Sequence, residues 1–365
     1  MVRRLTLLAW LLLPGAALAQ EATRPRPKPP LELGAPAAPA ETVDDEPITG
    51  LDADVLRENA WQAYQEQRWA VAAQFQHWAV HKDGDGRYNL ACFHARAGAR
   101  DAALYWLQQA ALEEGVDAVW AGQDADLESL RQDPRWSQVT TFLAEVTRWW
   151  GESGRKETLL VLPAGYQPGS PLGALVGLHG RGAHPQDFAD PQEYQALADQ
   201  LGLAFVGVSG TRPIGPRSFV WAEDPAADLA RIQAALDEVA GRVTLDPART
   251  VLLGFSQGAQ TALELAARHP DRFAGAIALS PGAQTGSHLE DVAPDPRLAK
   301  RGFVIVVGAG EPEANRSLAR RDGDGLRALG ARVEQRETKG QDEHAFPADF
   351  PVKLGEWHAF AVGSQ

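Results

Sequence analysis

The chain has 365 residues, 44% of them hydrophobic and 23% charged, and carries a formal net charge of −13. This length accommodates two domains, and the composition is that of a protein with a folded core. The acidic balance, with no dense run of Lys and Arg, excludes non-specific nucleic-acid binding, which needs a basic surface.

In chain order, residues 1–19 read as a secretory signal. Arg3 and Arg4 form a charged start, Leu5 to Leu13 an apolar stretch, and Ala17-Leu18-Ala19 a small-x-small cleavage pattern ahead of Gln20. The stretch is too short for a typical membrane span, so the mature protein is expected to be periplasmic or secreted, with no stable span after cleavage. Residues 20–50 are rich in Pro and Ala without periodicity, which predicts a disordered or polyproline-like linker. The one cysteine, Cys92, rules out an internal disulfide and sits in an apolar helical run, where a small core residue is expected.

Residues 51–151 carry only helix signals. Two segments align at a spacing of 31 residues, pairing Ala60 with Ala91, Ala72 with Ala103, Phe75 with Trp106 and Ala79 with Ala110. Small residues at matched positions let helices approach closely while aromatics fill the gaps between them. The run Tyr88-Asn89-Leu90-Ala91-Cys92-Phe93-His94-Ala95-Arg96-Ala97-Gly98 resembles tetratricopeptide repeats. That resemblance implies a surface for an extended peptide or an envelope-protein partner. Only two units are visible, so the segment is expected to lean on its tail helices or on the next domain.

A second domain is expected over residues 156–365, where apolar strand segments alternate with helices. The strands are expected at 158–162, 174–178, 204–208, 250–253, 274–279, 303–307 and 332–337. Helices are expected at 191–201, 225–240, 257–268, 313–329 and near 351–362. Short apolar strands separated by helices predict an α/β fold, a mostly parallel sheet covered on both faces.

Functional groups in such a sheet gather at the carboxyl ends of its strands. Gly254-Phe255-Ser256-Gln257-Gly258 has the form Gly-x-Ser-x-Gly, with a β-branched run before it and a helix-forming run after it. Strand, sharp turn and helix together define a nucleophile elbow with Ser256 at its tip. His179-Gly180-Arg181-Gly182 follows another strand, and its glycines let backbone N–H groups face a site. The amides of Arg181 and Gln257 are therefore the expected oxyanion donors, with the His179 side chain packed beneath. A serine hydroxyl needs a base. Of the histidines after Ser256, His269 closes a helix, His288 lies in a polar loop and His358 sits within the last helix. His344 alone follows the last strand, which makes it the expected base. The acid that orients it is expected first in Gly308-Ala309-Gly310-Glu311-Pro312-Glu313, where another strand ends. Glu311 is the better placed, Glu313 the alternative at a helix start, with Asp342 a more distant choice.

The His-Gly-Arg-Gly turn, the Phe-Ser-Gln-Gly elbow and His344, in that order, resemble the α/β-hydrolase superfamily, and within it the phospholipase/carboxylesterase branch. Dienelactone-hydrolase-like and polyhydroxyalkanoate-depolymerase-like esterases are similar too. The resemblance covers about residues 157–365. It implies a Ser-acid-His triad that hydrolyses small or lipid-like esters through an acyl-enzyme, without a cofactor. The chain departs from that branch in offering Glu where Asp is usual, and in the fused helical segment. A peptidase on the same fold and a catalytically inactive adaptor are the other readings.

Trp221, in Arg217-Ser218-Phe219-Val220-Trp221, is a candidate for the pocket wall, and Trp149-Trp150 is expected to pack between the domains. Asp83-Gly84-Asp85-Gly86 begins like a calcium loop but lacks the later carboxylates. His77 and His81 are spaced as in a zinc helix, but Trp78 stands where glutamate is needed. No metal is assigned.

Overall fold

A computed structural model describes residues 25–282, 286–341 and 344–363. The signal-peptide reading of residues 1–19 and the alternative acid Asp342 lie outside the described residues.

The helical part consists of α1 (Ala53–Gln65), α2 (Trp69–Asp83), α3 (Arg87–Arg96), α4 (Arg100–Glu113), α5 (Ala118–Gln123) and α6 (Trp136–Ser153), with a 3-10 turn at Ala125–Leu130 before α6. The alanines matched at the 31-residue spacing, Ala60, Ala72, Ala79, Ala91, Ala103 and Ala110, are all fully buried between helices. Trp150 Nε1 donates to the Ala111 carbonyl at 3.2 Å, and the Arg26 guanidinium lies over the rings of Trp149 and Trp150, all within the helical part.

The segment expected as a free linker is docked. Gln108, buried in α4, accepts from the Leu31 amide at 3.1 Å, and Leu31 and Leu33 pack against the core of the helical part. Two apolar side chains and a satisfied backbone are enough to fix a chain whose prolines have already limited its freedom. Two short strands follow, β1 (Thr42–Val43) and β2 (Glu46–Pro47), paired antiparallel.

The second part is a seven-stranded sheet. Its strands are β3 (Thr158–Val161), β4 (Leu172–Leu178), β5 (Ala204–Val208), then β8 (Leu245–Phe255), β9 (Gly275–Leu279), β10 (Gly302–Gly308) and β11 (Arg332–Thr338). Between β5 and β8 the chain forms a separate hairpin, β6 (Arg212–Gly215) and β7 (Ser218–Val220). The sheet order is β11-β10-β9-β8-β4-β5-β3, parallel throughout except for β3. Side chains alternate between the faces. Phe303, Ile305 and Val307 of β10 pack under α9 (Pro225–Val239), α10 (Gln257–Arg268) and α11 (Glu313–Ala328), whereas Val304 and Val306 lie in the core under α7 (Gln186–Ala189), α8 (Pro191–Leu201) and α12 (Phe350–Val362). This double cover is why the inner strands β5, β9 and β10 read as unbroken apolar runs, whereas β11 at the edge is polar and half-buried.

The two parts meet backbone to backbone. Gly115, after α4, has φ +89°, and a Cβ there would fall 2.2 Å from the Ile214 carbonyl oxygen. A Cβ on Gly215 would fall 1.9 Å from the Glu114 carbonyl oxygen. Pro213 of the same hairpin packs against Gly154 at the end of α6. Gly115→Ala combines left-handed backbone strain with this clash, and is expected to destabilise the chain by about 2 kcal/mol or more. Urea denaturation with Gly98→Ala as the comparison checks this, because Gly98 has a positive φ but open space around it.

Candidate active site

Ser256 stands on the turn between β8 and α10 with φ +54° and ψ −117°, strained geometry for a residue with a side chain. Its flanking glycines are sterically required. A Cβ at Gly254 would lie 2.1 Å from the Gly258 carbonyl oxygen, and one at Gly258 would lie 2.0 Å from that of Leu178. Ser256 Oγ lies 2.8 Å from Nε2 of His344, and His344 Nδ1 lies 2.9 Å from Oε2 of Glu311. The imidazole rests on Phe255, ring centroids 4.9 Å apart, with Phe346 edge-on to the same phenylalanine. The structure thus brings together Ser256, His344 and Glu311. Glu313 stands apart, exposed at the start of α11 and paired with Arg316 and Arg320.

Glu311 is 2% exposed and fully satisfied. Oε1 accepts from Ser280 Oγ at 2.6 Å and from the Gly308 amide at 3.1 Å, and Oε2 accepts from Asn315 Nδ2 at 3.0 Å as well as facing His344. Ser280 and Asn315 were not singled out in the sequence. Ser280 follows β9 with φ +47°, and Asn315 lies in the first turn of α11. Glu311 precedes α11, so the helix-face rule does not link it to Asn315, and the contact depends on the path of the loop into the helix.

On the other side of Ser256, the turn at His179–Gly182 is held from below and beside. His179 is fully buried. Its Nδ1 faces the Gly180 carbonyl at 2.6 Å, and its Nε2 accepts from the Gly210 amide at 2.8 Å. Burial lowers its pKa to about 4, so the ring is neutral, with its proton on Nδ1. The Gly182 amide donates to the Phe219 carbonyl of β7 at 2.9 Å, and the Phe219 amide donates to that of Ala183 at 3.0 Å. The amides of Arg181 and Gln257 donate to no protein acceptor among the described residues. Trp221, expected to wall the pocket, is fully buried instead. Its Nε1 donates to the His179 carbonyl at 2.9 Å, so it supports the turn from inside the core.

The concavities lined by Pro163–Tyr166 with Leu172, and by Leu203, Arg249 and His358, lie at the amino ends of the strands, on the opposite edge from Ser256. Among the described residues, no group of three or more His, Cys, Asp or Glu could hold a metal ion, and no helix is long and apolar enough to cross a membrane.

A serine on the sharp turn after a central strand, in a mostly parallel sheet covered by helices on both faces, is the architecture of an α/β-hydrolase. Residues 152–289 match the family model described as "Putative esterase". Two curated relatives are similar over part of the chain. The "Putative esterase NocK" of Nocardia uniformis subsp. tsuyamanensis is 37% identical over 115 residues, 31% of this chain and 33% of that protein. Feruloyl esterase C of Emericella nidulans is 28% identical over 131 residues, 36% of this chain and 48% of that protein. The chain thus spans between a third and a half of the length of these relatives. Among solved structures, a Bacillus cereus carboxylesterase has 18% identity and a TM-score of 0.44, covering 59% of this chain and 99% of its own.

Burial alone pushes the Glu311 carboxyl up, but the hydrogen bonds from His344, Ser280, Asn315 and Gly308 outweigh it, and the net shift is downward. A carboxyl held lower in the folded than in the unfolded chain contributes its stability at pH values above the unfolded value. That contribution is lost as pH falls through the folded value. Any stability advantage of wild type over Glu311→Gln at about pH 7 should therefore shrink as pH drops below about 4.3, the ordinary glutamate value. Urea denaturation of both proteins across that range measures the difference.

Proposed function

We propose that the chain is an exported serine hydrolase that cleaves carboxylic esters through an acyl-enzyme. The observation that carries the reading is the unbroken relay from Ser256 Oγ through the His344 ring to Glu311, with separations of 2.8 and 2.9 Å. In this reading His344 Nε2 takes the Ser256 proton as Oγ attacks the ester carbonyl carbon. Glu311 keeps the Nδ1 proton of His344 in place and stabilises the imidazolium that forms. The carbonyl oxygen, now negative, is held by the amides of Arg181 and Gln257, which donate to no protein acceptor among the described residues. Collapse of the tetrahedral intermediate expels the alcohol, which takes the proton back from His344. Water then enters by the same route in reverse and frees the acid.

Small-molecule or lipid-like esters are the substrate class this reading assigns. The match of residues 152–289 to an esterase family model supports it, though that match ends before Glu311 and His344. The relay supplies what the match does not cover.

Ser256→Ala should lower hydrolysis of p-nitrophenyl acetate by about 10⁴-fold or more, and a fluorophosphonate should label Ser256 in wild type. Glu311→Gln should cost about 10³-fold or more, while Glu313→Gln should stay close to wild type. Turnover by Ser256→Ala at the wild-type rate would end the reading.

Export belongs to the same proposal. Protein recovered from the periplasm of an expressing bacterium should begin at Gln20 on N-terminal sequencing, and retention of Met1 would count against it.

A further inference from the structure

We infer that Asp117, in the helical part, is a positioning residue for the oxyanion-binding turn of the sheet domain; this rests on the hydrolase reading above.

Asp117 precedes α5, where its carboxylate accepts from the amides of Val119 at 3.0 Å and Trp120 at 3.3 Å. Its other oxygen pairs with Nη1 of Arg181. Nη2 of Arg181 is taken by Oε1 of Glu223 at 2.6 Å, and that same oxygen accepts from Nε2 of Gln257 at 2.8 Å. The side chains of the two proposed oxyanion residues therefore converge on one carboxylate, and Asp117 holds the outer arm. Gln257 is fixed further by the Trp221 backbone, accepting from its amide at 3.1 Å. Glu223 holds its place with φ +59°, a conformation that a bulky residue keeps only when its surroundings enforce it.

Both ends of the Arg181 guanidinium are engaged by protein carboxylates. Its charge is spent inside the structure, so it orients the turn and is not left to bind an anionic substrate. The Asp117 side chain is 10% exposed and that of Arg181 21%, so solvent screens the pair far less than a surface pair. The anchor itself is rigid. Thr147 Oγ1 of α6 donates to the Val116 carbonyl at 2.9 Å, and the carboxylate of Glu114 is tied to Arg87. A turn that must present one amide to an oxyanion gains from such fixing, because small displacements of a donor are costly in rate.

The test uses the full chain. Asp117→Asn and Asp117→Ser both keep a side chain that can cap α5, but the first loses the charge and the second the reach to Arg181. Each should lower kcat on p-nitrophenyl acetate about tenfold with KM within about twofold. A trifluoromethyl ketone that mimics the tetrahedral oxyanion should bind more weakly by a similar factor. Asp117→Glu should recover part of kcat, and Asp101→Asn, at a surface pair with Arg135, should behave as wild type. Rates are normalised to sites titrated with fluorophosphonate, so a misfolded fraction does not count as lost kcat. A titrated kcat for Asp117→Asn equal to wild type, or an unchanged affinity for the ketone, overturns the inference while leaving the hydrolase reading in place. A wild-type chain with neither turnover nor labelling of Ser256 defeats both.

Discussion

Two carbonyl oxygens occupy the space where methyl groups at Gly254 and Gly258 would have to sit. Everything at the site depends on this close approach of backbone to backbone. It lets α10 start directly on the end of β4, so that Ser256 is lifted above the sheet edge instead of lying in it. The cost is a serine in strained backbone geometry. The Ser256 amide donates to Leu279 at 3.0 Å and its carbonyl receives α10, so both of its backbone groups are committed. The side chain meets His344 Nε2 at 2.8 Å.

Around that serine the charges are divided between two carboxylates with different duties. Glu311 is buried, receives four hydrogen bonds and faces a base whose charge would change during the proposed reaction. A carboxylate so supported stays ionised next to His344 without waiting for a counter-ion. Glu223 is half-exposed and faces Arg181, whose charge is permanent. It can act only as a fastener. Losing either would leave donors unpaired in a partly buried place, which costs more than the bonds were worth in isolation. The consequences would differ in kind, because in the proposed reaction one carboxylate orients the base and the other holds the turn beside it.

Much of this was legible in the chain. β5, α8 and α10 fall on the residues expected for them, because apolar runs buried on both faces and capped helices leave little freedom. At α8, for example, Asp190 caps the start, Pro191 fills the first position, and Gly202 ends it at φ +61°. Ser256, His344 and Glu311 could be grouped because each follows a strand. Other features had no local signal. The hairpin β6–β7 contains Pro213 and Pro216, which argue against a strand, and it packs on Glu114 and Gly115, which are distant in sequence. Ser280 and Glu223 contribute through a positive φ that their side chains do not advertise. Trp221 looked like a pocket residue because aromatics in loops often are, and only the packing shows it facing the core. Residues 20–50 read as a free linker because the partners of Leu31 and Leu33, Gln108 and the apolar surface of the helical part, are distant in sequence.

The helical part and the sheet domain differ in composition and in periodicity, which invites treating them as separable modules. Their contact argues otherwise. Surfaces that meet through side chains tolerate small shifts, but Gly115 and Gly215 meet with no side chain between them, and neither position accepts a methyl group. Such an interface has one register. The hairpin on its far side feeds the Phe219 carbonyl to Gly182 and the Trp221 indole to His179, so the same register fixes the turn beside Ser256. Asp117 adds a charged tie along a path the backbone contact has already made rigid. A helical segment that only recruited a partner would need none of this precision at its base. Its geometry is explained if the segment is part of the framework that holds the site.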